Sequence, residues 1–259
     1  MAKDDAARAP KAPPPAPPTA TPTATRRPRF PRVHSFTARY PWLGPMVWVS
    51  SSLYFVAQIF VAWIWTKPSY SVISNTISDL GNTHCGRYDG SVVCSPRHVV
   101  MNLAFMFLGI VMASGALLLH QEFVERTSIW EWRAAVFGFS LMSIAGLGTA
   151  LVGFFPENTF GTGHVVGAAI AIGGGNVAIL ILGLVLPFKE GMRMYTVMWS
   201  AAALVAAVLF ASHKYLGIGG GTMERLAAYP ETVWLIRFGI YISRNHYSTS
   251  HARGRPIVT

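Results

Sequence analysis

The chain has 259 residues, of which 52% are hydrophobic and only 12% are charged. The charged fraction is about half of that usual in soluble domains, which argues against a soluble protein. The net charge of +10 comes from basic residues in the tails and in short loops, where they set membrane orientation and contact anionic lipid. No nucleic-acid-binding pattern accompanies them, so we expect membrane lipids and no nucleic acid as partners.

Residues 1–41 form a separate compositional unit that is rich in Pro, Ala and Thr and is basic. Such a segment cannot bury a core, so the sequence predicts a disordered cytoplasmic tail. Two interpretations of this tail are open. It docks a partner or anionic lipid, or it is a solvated segment that helps to hold the N-terminus inside.

Over residues 42–243 the sequence predicts an all-α polytopic membrane domain, a bundle of six transmembrane helices. Each span is long enough to cross about 30 Å of hydrocarbon at 1.5 Å per residue. The sixth span is the weakest of the six because it carries four charged residues and Pro230, which we expect to kink it. The predicted spans are 43–65, 99–119, 134–155, 163–186, 195–216 and 222–243. Residues 244–259 are predicted to be a basic cytoplasmic tail.

The fourth span carries a small residue at every fourth position, which predicts close packing against another helix. These residues are Gly163, Gly167, Ala171 and Gly175. The third span offers a counterpart set: Gly138, Ser143, Gly146 and Ala150.

The distribution of Lys and Arg predicts the orientation. With the N-terminus inside, 15 of the 21 basic residues lie in inner segments, as the positive-inside rule requires. We therefore expect a bacterial inner-membrane protein with both termini cytoplasmic. Cys85 and Cys94 are the only cysteines, and both lie in the first outer loop. An oxidising exterior favours a disulfide between them over a metal pair.

Unusual polar residues collect on the outer side of this topology. Ionisable groups near a bilayer are costly and indicate a functional site by default. The candidate catalytic residues are Asp79, Glu157 and His164. The candidate ligand-binding residues are Asn75, Ser78, Asn82, Asn102, Glu224 and Arg225.

Three interpretations of this cluster compete. In the first, Asp79 or Glu157 pairs with His164 for acid–base chemistry near neutral pH. In the second, the cluster binds a zinc-like ion, with ligands from His84, His98, His164, His213 and Asp79. The histidines show no helical ligand spacing, so we assign no metal and no cofactor. In the third, the polar groups cap helices and pair with each other, for example Asp79 with Arg97.

Residues 74–82, Ser-Asn-Thr-Ile-Ser-Asp-Leu-Gly-Asn, resemble the motif of a bacterial integral-membrane family catalogued as domain of unknown function 998. The similarity continues through Ser95-Pro96 before Met101-Asn102, residues 155–158 followed by His164, and Glu224-Arg225. It covers about Pro45 to Ser243 and implies a six-span bundle, with no established activity to carry over. The two cysteines look like an addition to the family pattern.

Together these observations predict a six-helix membrane protein with a polar pocket at its extracytoplasmic face. The most concrete functional hypothesis is recognition or processing of an envelope lipid or lipid-linked intermediate that enters between helices. The alternatives are a non-catalytic membrane scaffold or accessory subunit and, third, a transporter or channel.

Overall fold

The computed structural model describes residues 39–65, 67–123 and 128–252. The predicted N-terminal tail lies outside these ranges, apart from its last three residues. The described chain is an all-α bundle with one small β-hairpin, which confirms the predicted fold class. The helices are α1 Leu43–Val49, α2 Ser52–Ile64, α3 His98–Phe123, α4 Ile129–Phe154, α5 Gly161–Ala168, α6 Gly175–Val185, α7 Glu190–Ala211 and α8 Gly220–Ala252.

In the part of the chain that the structure describes, five spans are long and apolar enough to cross a membrane: Leu43–Ile64, His98–His120, Ile129–Phe154, Gly161–Val185 and Glu190–Ala211. The first consists of α1 and α2, which are separated where the hydroxyls of Ser50 and Ser51 donate to carbonyls three residues earlier, both at 2.6 Å. The fourth consists of α5 and α6, joined by a π-helix over Ala169–Gly174.

The last two helices differ from their predicted bounds. The fifth span ends at Ala211 rather than at residue 216, because His213 and Leu216 take positive φ angles of 54° and 51° in the turn that follows. The sixth helix of the bundle, α8, has 33 residues and runs through Pro230. It has the length of a span, but its charged residues leave it less apolar than the other five. It also continues to Ala252, into the predicted C-terminal tail.

Glycines allow the central helices to approach closely. A Cβ atom at Gly146 on α4 would overlap the backbone of α3 at Gly109. A Cβ at Gly148 would meet the Gly167 carbonyl oxygen at 2.8 Å, as well as the backbone nitrogen of Ala171. The predicted packing of the fourth span on the third is therefore present. Of the predicted counterpart set, Gly138 faces the fourth span at Leu182, whereas Gly146 and Ala150 face α3. Gly148, which was not predicted, makes the contact with Gly167.

The loop between the first two spans is ordered by local structure. It contains a 3₁₀ turn over Ser78–Gly81, followed by antiparallel strands β1 Gly86–Tyr88 and β2 Ser91–Val93. Asp89 and Gly90 both take positive φ angles, as a two-residue hairpin turn requires. The predicted Cys85–Cys94 disulfide is present and closes the open end of this hairpin.

Candidate functional site

Three connections meet at one end of the bundle, which we call the polar end. They are segments 65–97, 155–160 and 212–219. The first contacts the second through Thr83, whose backbone N–H donates to Asn158 Oδ1 at 3.2 Å. It also contacts the start of α8, where Thr222 donates its N–H to the Ile73 carbonyl at 3.2 Å. All of the predicted catalytic and ligand-binding residues lie at this end.

Asp79 lies in the 3₁₀ turn and is buried. Its Oδ2 accepts from Asn75 Nδ2 at 3.1 Å and from the Thr76 backbone N–H at 3.0 Å, and its Oδ1 accepts from Asn82 Nδ2 at 3.5 Å. Arg97, which the capping interpretation paired with it, is not among these partners. The Asp79 carboxyl thus closes the turn that follows Asn75.

Glu157 lies in the connection between α4 and α5, next to the Asp79 turn. Its Oε1 accepts from Asn82 Nδ2 at 2.8 Å, so one amide bridges the two carboxyl groups. Burial, the charges of Asp79 and Glu224, and a hydrogen bond with Asp79 together raise the pKa of Glu157 to about 9. Glu157 is therefore a neutral acid at pH 7, and it lies beside the Asp79 carboxyl.

Ser78 occupies the centre of the site, although the sequence suggested only a supporting role for it. Its Oγ lies 2.9 Å from His164 Nε2 and donates to Glu224 Oε1 at 3.0 Å. Glu224 Oε2 also accepts from the backbone N–H of Ile77. The other imidazole nitrogen of His164, Nδ1, lies 2.8 Å from the Phe155 carbonyl oxygen.

These contacts limit where protons can reside. A carbonyl oxygen only accepts, so His164 Nδ1 carries a proton. If Nε2 is also protonated, it donates to Ser78 Oγ, and the serine donates to an ionised Glu224. If Nε2 is unprotonated, it accepts the serine proton, and a protonated Glu224 donates to Ser78. The three side chains therefore share one exchangeable proton along a single hydrogen-bonded line.

Arg225 is committed to holding the first loop on α8. Its Nη1 donates to the carbonyl oxygens of Val72 at 3.0 Å, Asn75 at 2.9 Å and Gly221 at 2.7 Å. Its Nη2 donates to the Tyr70 hydroxyl, and its Nε donates to the Tyr229 hydroxyl at 3.2 Å. The ligand-binding role predicted for Arg225 stays a prediction, but these contacts make it a positioning residue for the Ser78 turn.

Two of the predicted asparagines connect the loop to the bundle and keep an acceptor free. Asn102 Nδ2 donates to the Gly81 carbonyl at 3.0 Å, while its Oδ1 is buried without a partner. Asn82 Oδ1 is likewise buried and unpartnered. Asn75, in contrast, is fully engaged, because its Oδ1 accepts from the Ser71 backbone N–H at 3.1 Å.

The other histidines at the polar end do not join His164. His84 Nδ1 contacts the Thr83 hydroxyl, His98 Nδ1 contacts the Ser95 carbonyl, and His213 Nδ1 contacts the Tyr215 hydroxyl. Within the described residues, no three His, Cys, Asp or Glu side chains are grouped as metal ligands. The zinc interpretation therefore finds no ligand set in that part of the chain.

A cleft of about 760 Å³ opens beside this cluster, between the fourth span, α7 and α8. The α6 half of the fourth span packs against α7, whereas the α5 half makes little contact with it. Apolar side chains line the body of the cleft, including Val165, Ile172, Leu204 and Val208. Its polar end is lined by Ser78, Tyr88, Asp89, Glu157, His164, His213 and Glu224.

With this geometry established, comparison with known proteins identifies the family. A family model described as "Protein of unknown function (DUF998)" matches residues 49–241. The chain belongs to the DUF998 family. No curated protein and no solved structure matches it. Membership in DUF998 confirms the resemblance seen in the sequence, and it brings no activity, substrate or partner with it.

Sequence reasoning missed two parts of the DUF998 site. One is the Tyr70–Arg225–Tyr229 network, in which the Tyr229 hydroxyl donates to Gln58 Oε1. The four-residue spacing of Arg225 and Tyr229 on one helix face was the available signal. The other is Glu231, a buried carboxyl on α8 to which the sequence analysis gave no role.

Proposed function

We propose that this protein binds a membrane lipid or lipid-linked intermediate in the cleft and acts on its head at Ser78. The supporting observation is that one cleft is apolar along the fourth span and α7 and polar where it reaches Ser78, His164 and Glu224. An amphiphile matches that arrangement, with its chain along the helices and its head at the polar end.

Ser78 and His164 are arranged as a nucleophile and its base. The separation of 2.9 Å between Ser78 Oγ and His164 Nε2 is within the range for proton transfer. The Phe155 carbonyl orients the imidazole by accepting from Nδ1, the role that a carboxylate fills in other nucleophile–base pairs. Before the attack, a protonated Glu224 donates to Ser78 Oγ and so leaves the serine proton directed at His164 Nε2. When Ser78 Oγ attacks an ester or amide carbonyl of the lipid head, its proton passes to His164 Nε2. As the carbonyl re-forms, the bond to the leaving oxygen or nitrogen breaks, and His164 returns the proton to that leaving group.

The charge of the cleft favours one class of head. Its described lining contains Asp89, Glu157 and Glu224 but no lysine or arginine. A phosphate at this point would find no cationic partner in the described lining of the cleft. A head rich in hydroxyl or amine donors instead finds carboxyl and imidazole acceptors. We therefore place hydroxyl- or amine-bearing lipids ahead of anionic phospholipids.

In this proposal the polar end faces the extracytoplasmic side of a bacterial inner membrane, with both termini cytoplasmic. The excess of basic residues in the other segments supports that orientation, as does the Cys85–Cys94 disulfide, which persists in an oxidising compartment.

The test is the envelope lipid profile of a deletion strain complemented with wild type, His164→Ala or His98→Ala at matched protein abundance. His98 is the matched control because it lies at the same end and does not line the cleft. We expect wild type and His98→Ala to reverse the lipid change and His164→Ala to leave it in place. A profile that the deletion does not alter would refute the lipid proposal.

The second candidate is a non-catalytic scaffold or accessory subunit. It is favoured by the number of polar groups at this end that hold the loop. Arg225 is the main example, because three of its five hydrogen bonds reach the first loop. In that case His164→Ala complements fully whenever the protein accumulates normally.

A further inference from the structure

Glu231 is a buried carboxyl in the interior of the bundle, away from the site described above. It is 5% exposed and lies on α8 directly after Pro230. Seven residues separate it from Glu224, which is two helical turns on nearly the same face, or about 10 Å by helical rise. Its Oε1 is buried without a hydrogen-bond partner.

A small cavity joins Glu231 to the polar end. It has a volume of about 50 Å³, and its polar lining consists of Ser78 and Glu224 together with Thr149, Glu231 and Thr232. This is room for about three water molecules, given the 10–15 Å³ that each one needs. Ser78 and Glu224 also line the cleft, so they form the wall between the cleft and this cavity.

The surroundings of Glu231 supply no positive charge. Among the described residues lining the cavity, the titratable ones are Tyr54 from α2 and Glu224 and Glu231 from α8, while α3, α4 and the π-helix contribute none. A carboxylate that is buried without a cation is strongly disfavoured, so the carboxyl binds a proton instead.

The neighbouring helix is shaped around this carboxyl. A Cβ at Gly175, the first residue after the π-helix, would overlap the Glu231 carboxyl. The adjacent Asn176 donates from Nδ2 to the Ala227 carbonyl at 3.1 Å, one turn before Glu231. Asn176 Oδ1 is also buried and unpartnered, so the helix that faces Glu231 carries a second polar atom without a hydrogen bond.

We propose that Glu231 is a proton-binding site inside the membrane that exchanges with the polar end through this cavity and the Ser78–Glu224 wall. Toward the other end of the bundle, the next residues on the buried face of α8 are Trp234 and Phe238, whose rings stack with centroids 4.8 Å apart. Neither ring lines the cavity, whereas Ser78 and Glu224 do, so we place its access at the polar end. This inference goes beyond the proposed function and uses no lipid contact, so either can fail without the other.

Infrared spectroscopy of the full chain in lipid nanodiscs tests the bound proton. We expect a protonated-carboxyl band at neutral pH of which one component is lost in Glu231→Gln and retained in Glu190→Gln, a matched change of an exposed carboxyl. An unchanged band in Glu231→Gln would overturn the proposal. Glu157 is also protonated at pH 7, so the Glu231 component is assigned from the difference between wild type and Glu231→Gln. Glu231→Asp keeps a carboxyl at this position and should retain a protonated-carboxyl component, which keeps the test decisive if the glutamine variant does not fold.

The route is tested by transferring the same nanodiscs into heavy water. We expect the Glu231 component to shift as its proton exchanges, and to shift several-fold more slowly in Ser78→Ala. Equal rates in both proteins would overturn the Ser78 route, and an absence of exchange in wild type would overturn access from the polar end. A third measurement is proton flux across vesicles that contain the protein. If wild type carries a proton flux and Glu231→Gln does not, access from one side only is overturned, because such a flux requires a path through the stacked rings.

Discussion

Replacing Glu157 with Gln should remove a large pH dependence from the stability of this protein. The folded pKa of Glu157 is about 9, against an ordinary value of 4.5, because it is buried beside Asp79 and Glu224. The native state therefore keeps a proton that the unfolded state releases above about pH 4.5. Stability is greatest below that pH and falls as pH rises toward 9, by about 1.4 kcal/mol for each pH unit in this interval.

At pH 7 the accumulated loss in the wild type is on the order of 3 kcal/mol. Gln at position 157 cannot ionise in either state, and its amide can still donate to Asp79 as the protonated acid does. We therefore expect Glu157→Gln to unfold at a higher temperature than wild type at pH 8, with the difference shrinking toward pH 5.

The assay is fluorescence-monitored unfolding in detergent at a series of pH values, with Glu190→Gln as the control. Glu190 is exposed at the start of α7, so its replacement should leave the pH dependence of wild type in place. Stability curves for wild type and Glu157→Gln that run parallel across this pH range would refute the reasoning. They would show that the Glu157 carboxyl is ionised in the folded protein despite its neighbours.

Three further predictions test the frame around the site. Gly146→Val should destabilise the bundle by about 1–3 kcal/mol, measured as a lower unfolding temperature, because its side chain would meet the α3 backbone at Gly109. Arg225→Ala should lower the free energy of unfolding by about 3 kcal/mol or more, since buried carbonyls of the loop lose charged donors. It should also speed proteolysis within residues 70–76, and unchanged cleavage there would contradict the role of Arg225 in holding the loop. In intact spheroplasts, a membrane-impermeant maleimide should label Cys85 and Cys94 only after reduction, and labelling without reduction would contradict the disulfide.

The sequence alone determined the membrane architecture. A helix in lipid must satisfy its backbone internally and present apolar side chains over about 20 residues, so composition is sufficient to locate five of the helices. The disulfide was predictable for a similar reason, because only two cysteines exist and both fall in one short loop. The end of the fifth span was placed too late because Tyr215 and Leu216 are apolar although they lie in a turn.

The candidate site was predictable as a set of residues but not as an arrangement. Asp79 and His164 were selected as partners, yet the tertiary structure places His164 against Ser78, 86 residues away in sequence. It also brings Glu224 to the same serine across 146 residues, and it places Glu231 against Gly175. Contacts of this kind depend on how the spans pack around their glycines and on where the first loop folds back onto α8. Those choices are made between helices, so no local pattern in the chain records them.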